Sequence, residues 1–393
     1  MPHLKKKIAI IGSGPAGLTC AHILSQNKSY LVSVFDQYKF FGRKLLIAGK
    51  TSLNISNTKE QKEFIKHIKG PSEHFENCFS SFFQYEWIDL LNRLDIETFM
   101  GTSEQVLINN TATELMKNWI AHLQEKDVLF FSDHLWQDFK SDQNKITLSF
   151  SEKQPQEFDA VCLALGGQSY LDKPSTWVSC LKDKGITFSP FHASNVGYHV
   201  SWSKEFLQEA GGRPLKNIIF KNKNGEKPGD LVITEYGLEG SPVYTLGAKG
   251  KAFIDLKPDF NIKALQNKLN INPKKLSPYR LVVKQINLCP ATKALLFHET
   301  NQATKESLPA LIDAIKNFPI TLKQAQAIDK AISTTGGVTF ENLDDSLMLK
   351  KFPGVFLAGE MLDWDAPTGG FLIQTCAAQG AWAGQHITAF ISS

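Results

Sequence analysis

Residues 7–36 read KIAIIGSGPAGLTCAHILSQNKSYLVSVFD. The apolar run at 7–11 predicts a buried parallel strand, GSGPAG at 12–17 a tight glycine turn, 18–26 a helix, and the β-rich run at 30–35 a second strand ending at Asp36. This is a βαβ unit, and each glycine of its turn has a physical task. Gly12 permits the turn, Gly14 lets the backbone approach a pyrophosphate, and Gly17 allows the helix to pack closely on the strand. The helix N-terminus adds unpaired N–H groups and the positive end of a dipole. Asp36, 24 residues after Gly12, stands where an acid accepts hydrogen bonds from the ribose hydroxyls of an adenosine. Pro15 and Ala16 inside the turn, with Gln37 beside the acid, complete the candidate ADP-binding set. The motif alone does not choose between NAD and FAD.

Beyond this unit, residues 111–125 place Leu115, Met116, Trp119, Ile120 and Leu123 on one helical face, a core-packing pattern. Three short alternating runs between 128 and 150 predict an antiparallel meander, and 158–165 returns as a mostly apolar strand before Gly166 and Gly167. Past Pro190 come polar strand-like pieces punctuated by Gly and Pro to about 256, then helical stretches with little β-character from 262 to 332. The α/β signature resumes at Gly336-Gly337-Val338, with a short strand at 354–358 and an amphipathic helix from about 371 to 390. The expected class is α/β: a discontinuous Rossmann-like domain (1–192 and 333–393) of parallel sheet plus antiparallel meander, with an inserted β-rich and helical domain at 193–332.

At 393 residues the chain buries a substantial core without staples. Hydrophobic residues make up 42% and no apolar run reaches the length of a membrane helix, so no membrane span is expected. A net charge of +4, from 43 basic and 39 acidic residues, is too slight and scattered for a nucleic-acid footprint. The expected partner is a small molecule; the oligomeric state stays open. Cys20, Cys78, Cys162, Cys180, Cys289 and Cys376 stand far apart with no C-x-x-C, which points to a reducing, cytoplasmic setting and to no metal site. The basic lead MPHLKKK precedes an apolar stretch that breaks at the glycine turn, so no signal peptide is expected.

Two distant segments favour FAD over NAD. LALGG at 163–167 and GVFLAGEMLDWDAPTGG at 354–370 close a site for a longer cofactor. In the second, Glu360 is placed to bind a ribityl hydroxyl, and residues 367–370 begin a helix whose N–H groups face a flavin pyrimidine edge and stabilise its negative charge. These segments, with FGRKLLIAGKTSLNISN (41–57), LALGGQSY (163–170), TEYGLEGSPVYTLG (234–247), TTGGVTFENLD (334–344) and GVFLAGEMLDWDAPTGGFLIQTCAAQGAWAG (354–384), resemble the BaiN-like, aminoacetone-oxidase-type bacterial flavoproteins of the glutathione-reductase-like FAD superfamily. The resemblance implies FAD bound by the discontinuous domain and covered by the inserted one. It also implies that Gly12, Gly14, Gly17 and Asp36 bind the ADP moiety, that Arg43, Lys44 and Gly49 line the cofactor cleft, and that Gly359, Glu360, Gly369, Gly370, Phe371 and Leu372 bind the ribityl and flavin end. The chain departs from the family at AGKTSLN, which lacks an Arg-Cys pair, at Leu165, where the superfamily has Thr, and at Glu360, where many relatives have Asp.

No C-x4-C dithiol follows the first βαβ unit, so electrons are not expected to pass through cysteines. No second G-x-G-x-x-G follows a strand, so NAD(P)H would dock transiently at the flavin, or the substrate itself would reduce it. Lys50, Asp363 and Asp365 are the candidate catalytic residues, with Trp364 between the two acids. Glu235 and Tyr236 are candidates to reach across a cleft, while His192 and His199 read as structural. The expected activity is an FAD-dependent oxidoreductase moving hydride through the flavin to or from a small organic substrate. The alternatives are a flavin-binding redox sensor without turnover and a flavin monooxygenase; an RNA-modifying flavoenzyme is disfavoured by the charge distribution.

Overall fold

The computed structural model describes residues 5–49, 53–101, 104–142, 145–171, 175–271 and 275–393. The chain divides into two units, Met1–Ala193 with Ile332–Ser393, and Ser194–Ala331. Each has its own buried apolar cluster.

The first unit is built on a five-stranded parallel sheet whose spatial order is Val355–Leu357, Ala160–Leu163, Lys6–Ile11, Tyr30–Phe35, Leu129–Phe131. Ile8, Ala9 and Ile10 are fully buried in its central strand, as a doubly covered parallel strand requires. The helix Pro15–Leu24 and the strand Tyr30–Phe35 complete the βαβ unit. The class is therefore the expected α/β Rossmann type.

Several details differ from the sequence reading. The run at 128–131 does not open the meander; Leu129–Phe131 is the parallel edge strand beside Tyr30–Phe35. Its residues are consecutively apolar, the texture of a parallel strand and not of period-2 alternation. The meander consists of Trp136–Asp142, Lys145–Phe150 and Gln156–Phe158. Asp159 cuts the apolar run at 158–165 in two: it accepts from Lys7 N (2.8 Å) and pairs with Lys145 (3.0 Å), and beyond it Ala160–Leu163 enters the parallel sheet. Between 53 and 110, where the sequence reading assigned no elements, lies a three-stranded sheet ordered Asn54–Asn57, Gln105–Ile108, Thr98–Met100, with helices Ser72–Ser81 and Gln84–Arg93.

The C-terminal helix runs Phe371–Ser392 and is not amphipathic in the expected sense. Gln374, Thr375, Ala377, Ala378, Gln379, Ala381 and Ala383 are all buried, because neighbours cover it on several sides. It lies directly on Pro15–Leu24, where a Cβ at Gly380 would come 2.0 Å from the Ala16 carbonyl oxygen.

The second unit is a six-stranded antiparallel sheet ordered Tyr198–His199, Gly237–Glu239, Gly225–Ile233, Pro214–Asn222, Gly250–Asp255, Phe318–Leu322, accompanied by helices such as Pro290–His298 and Leu308–Lys316. The edge strand Phe318–Leu322 corrects the expectation of little β-character after 262. It alternates buried and exposed, and its Pro319 is tolerated because an edge strand leaves one row of N–H positions unpaired. Among the described residues no helix is long and apolar enough to cross a membrane.

Candidate functional site

The glycine turn meets the geometric demands of a nucleotide-binding loop. Gly12 has φ +109°, and a Cβ there would fall 2.1 Å from Ala164 O; one at Gly17 would fall 1.9 Å from Gly12 O. Both positions exclude any side chain. Gly14 differs: its φ is −78°, and an added Cβ would meet nothing within 4 Å. Backbone there faces open space beside the helix N-terminus, the cradle that a pyrophosphate fits. Pro15 is the first helical residue and Ala16 is buried behind it.

Asp36 is half-buried at the end of Tyr30–Phe35, and Gln37 is exposed beside it. The Asp36 carboxylate accepts from Ser13 N (3.1 Å), from Ser13 Oγ and from Tyr38 N (2.9 Å). Ser13 in turn accepts from Gly42 N at 2.9 Å, tying the turn to the segment that carries Arg43 and Lys44. Ser13 occupies a variable position of the glycine pattern, so nothing in the motif marked it.

Burial raises the Asp36 pKa above its ordinary 3.8, with the hydrogen bonds from Ser13 and Tyr38 opposing the shift. Ribose hydroxyls donating to the carboxylate would favour its charged form and draw the pKa back down. Cofactor binding then releases a proton in the acid range above 3.8. Affinity for FAD is therefore expected to weaken as pH falls through that range, and the dependence to vanish in Asp36→Asn; fluorescence titrations at stepped pH check this.

A second cluster joins sequence-distant segments. The Arg43 guanidinium lies 4.6 Å from the Tyr38 ring centroid and donates to the Tyr170 carbonyl. Lys44 Nζ is 3.0 Å from Gly167 O and 3.5 Å from Glu360 Oε2, while Glu360 Oε1 accepts from Thr334 N at 2.9 Å. A Cβ at Gly167 would strike Thr334 Oγ1 at 2.2 Å, so only glycine lets these groups meet. Gly166, at φ +71°, faces Lys44. Glu360, read as a ribityl acceptor, thus has both oxygens engaged within the protein. Thr334, fully buried and also accepting from Gln168 N (3.1 Å), was missed because the first of two adjacent threonines before Gly336 and Gly337 carries no distinctive pattern. Gly49 serves packing, since a Cβ there would lie 2.4 Å from Ala112 Cβ. Lys50 lies outside the described residues.

At the other end, Gly359 (φ +86°) donates its N–H to Gln379 Oε1 at 2.9 Å. Gly369 and Gly370 have φ +103° and +96°, and a Cβ at Gly370 would fall 2.1 Å from Ser56 O. These left-handed residues turn the chain into the C-terminal helix, whose first N–H groups, from Phe371, Leu372 and Ile373, have no intrahelical acceptor. Phe371 is buried, its ring centroid 4.5 Å from that of Phe64.

The candidate catalytic acids have structural partners. Asp363 accepts from Ser189 Oγ, and Asp365, 4% exposed, pairs with Lys69 at 3.1 Å. Trp364 is buried and donates to Gly359 O at 2.9 Å. His192 is exposed in the strand Phe188–Ala193. In the second unit, Tyr236 donates to Glu239 and its ring lies 5.4 Å from that of His199, while Glu235 is exposed.

The donor set of the first unit fits a dinucleotide: an open glycine cradle, an acid at the second strand, and a helix N-terminus opened by Gly369 and Gly370. Comparisons with known proteins agree. A curated relative, the 3-dehydro-bile acid delta(4,6)-reductase of Clostridium scindens, is 24% identical over 406 residues, covering 96% of this chain and 98% of the relative. The ribosomal RNA dihydrouridine synthase of Escherichia coli is 24% identical over 396 residues, covering 95% and 96%. Among solved structures, 3-ketosteroid-delta4-(5alpha)-dehydrogenase from Rhodococcus jostii shares the fold with a TM-score of 0.54 at 12% identity, covering 99% of this chain and 97% of that one. E. coli quinol fumarate reductase FrdA does so with a TM-score of 0.52 at 13% identity, covering 99% and 71%. Residues 6–386 match the family model described as HI0933-like protein Rossmann domain, and the chain belongs to that family of FAD-dependent oxidoreductases.

Proposed function

We propose that this chain is a reductase that uses FAD to saturate a carbon–carbon double bond conjugated to a carbonyl in a small organic acceptor, with NADH or NADPH as the electron source. The observation that carries this reading is the end-to-end match to two relatives whose names describe such a saturation, one on a 3-dehydro bile acid and one giving dihydrouridine. Bound FAD supplies the hydride-transfer chemistry. The chain supplies the rest: the cradle at Gly12, Gly14 and Gly17 with Asp36 holds the ADP half. The cluster of Lys44, Gly167, Thr334 and Glu360 fixes the segments on which the cofactor lies. The N–H groups of Phe371, Leu372 and Ile373 favour the negative charge that a reduced flavin carries at its pyrimidine edge.

A second reading has an observation of its own, the similarity to an enzyme named for ribosomal RNA. In that case the acceptor would be a pyrimidine within RNA.

Both are tested by recording the visible spectrum of the purified holoprotein anaerobically while adding NADH and then NADPH. Rapid loss of the flavin bands is expected, followed by their recovery on adding a 3-oxo-4-ene steroid as a conjugated acceptor. Recovery only with ribosomal RNA, accompanied by loss of pyrimidine ultraviolet absorbance, would move the assignment to RNA. A flavin that neither nucleotide bleaches would overturn the donor and leave an oxidase or a sensor. Oxygen incorporated into a product would mark a monooxygenase.

A further inference from the structure

The first turns of the C-terminal helix hold a buried amide with an unused donor. Gln374, the fourth residue of that helix, is 0% exposed, and its Oε1 accepts a hydrogen bond from Ser56 Oγ. Among the described residues, its Nε2 is buried without a hydrogen-bond partner. With the oxygen held by a hydroxyl, the amide protons remain unused, and a buried donor left unsatisfied is destabilising.

The surroundings give this donor a direction of use. Ser56 belongs to the strand Asn54–Asn57, whose backbone lies so close to the helix start that a Cβ at Gly370 would fall 2.1 Å from Ser56 O. Asn54 Oδ1, two residues earlier on that strand, is also buried and has no hydrogen-bond partner among the described residues. The N–H groups of Phe371, Leu372 and Ile373 point out of the same helix end. A flavin pyrimidine ring presents carbonyl acceptors beside a single imide N–H. That chemistry complements several donors accompanied by one acceptor.

We infer that Gln374 is a positioning residue for the flavin ring, its amide oriented by Ser56 so that Nε2 donates to a ring carbonyl of bound FAD. The inference rests on the reading that residues 369–372 hold the flavin end, and it extends that site to a side chain in the helix interior and to the strand Asn54–Asn57. The geometry also fixes the sign of the effect. In the cofactor-free protein the unsatisfied donor is a liability, so removing it costs nothing there. In the holoprotein the same change removes a bond to the cofactor. A residue serving only the core would show the opposite pattern.

The test compares wild type with Gln374→Met, of similar length and without polar hydrogens, in the full chain. Three quantities are read: thermal unfolding of the FAD-stripped protein, FAD affinity by fluorescence quenching, and the midpoint potential of the bound flavin. The stripped variant is expected to unfold at or above the wild-type temperature, since Ser56 Oγ keeps an acceptor in Asn57 O at 3.3 Å. FAD affinity should fall about tenfold. The two-electron potential should drop by about 30 mV, the equivalent of a tenfold loss in stabilising the more negative reduced ring. Ser56→Ala, which frees the amide but keeps the donor, should shift affinity and potential in the same direction by less, and it decides the question if Gln374→Met fails to fold. A stripped variant less stable than wild type, with FAD affinity and potential unchanged, would make Gln374 a core residue and overturn the inference. Wild-type protein that does not bind FAD at all would instead overturn the reading beneath it.

Discussion

Gly14→Val is expected to give a folded but colourless protein, with FAD affinity reduced on the order of 100-fold, equivalent to about 2.8 kcal/mol. Three glycines of one turn stand in contrasting surroundings. At Gly12 and Gly17 an added Cβ would lie 2.1 Å and 1.9 Å from backbone oxygens, so any side chain displaces the strand or the helix itself. At Gly14 nothing stands within 4 Å, and the backbone is extended at φ −78°, ψ −177°. Valine there costs the protein about 1 kcal/mol at most, as a poorer N-cap than glycine. Its methyl groups fill the space that a pyrophosphate must enter to reach the helix N-terminus. Gly17→Val, three residues along the chain, is expected to leave no soluble protein. Circular dichroism and thermal melts establish the fold of Gly14→Val, and FAD titration establishes the loss. Wild-type affinity in that variant would mean that the pyrophosphate does not lie on this turn.

The parallel-sheet nucleus was legible because local sequence and tertiary role coincide there. A strand buried on both faces must be continuously apolar, and a turn that touches phosphate must be glycine, so 7–36 carries its own reading. The three-stranded sheet at 54–108 was not legible. Its strands are three or four residues long, too short to show a periodicity, and Asn54–Asn57 finds its partner Gln105–Ile108 only across about 50 residues of chain. The site shows the same division. Gly12, Gly14, Gly17 and Asp36 could be read because their spacing along the chain is their geometry. Ser13, Thr334 and Gln374 could not, because each acts through a partner more than 20 residues away: Asp36, Glu360 and Ser56. The acids of 363–365 show the same division: acids near a helix start suggest function or capping, and their partners, Lys69 for Asp365 and Ser189 for Asp363, lie far away along the chain.

Gly380→Val is the second change with a large expected effect, and it acts through the backbone of Ala16 in the candidate ADP-binding turn. A Cβ at 380 would approach Ala16 O at 2.0 Å, Ala16 C at 2.7 Å and Ala16 Cα at 2.8 Å. All three are backbone atoms, so no rotamer change relieves the overlap and the C-terminal helix must move off Pro15–Leu24. Overpacking a core typically costs 1–3 kcal/mol where side chains can adjust. Here a loss of about 3 kcal/mol or more is expected, a large part of the 5–15 kcal/mol that holds a typical protein folded. Gly384→Ala supplies the control, since its nearest neighbours, Ile23 Cβ at 3.0 Å and Cys20 O at 3.1 Å, demand only a small shift, and alanine gains up to about 1 kcal/mol in helix propensity. The functional consequence follows from what Ala16 touches. It sits inside the glycine turn, its Cβ lies 3.0 Å from where one would stand on Gly359, and its backbone receives Gly380. Three segments from the two ends of the chain therefore converge on one small residue, and moving the C-terminal helix displaces together the glycine turn and Gly359, the segments proposed to hold the two ends of FAD. Material that folds at low temperature is expected to carry less than a tenth of the wild-type flavin, read as the ratio of visible to ultraviolet absorbance, with its melting temperature lowered in parallel. Full flavin content in a destabilised Gly380→Val would show that the two halves of the cofactor site are not held in register through this helix contact.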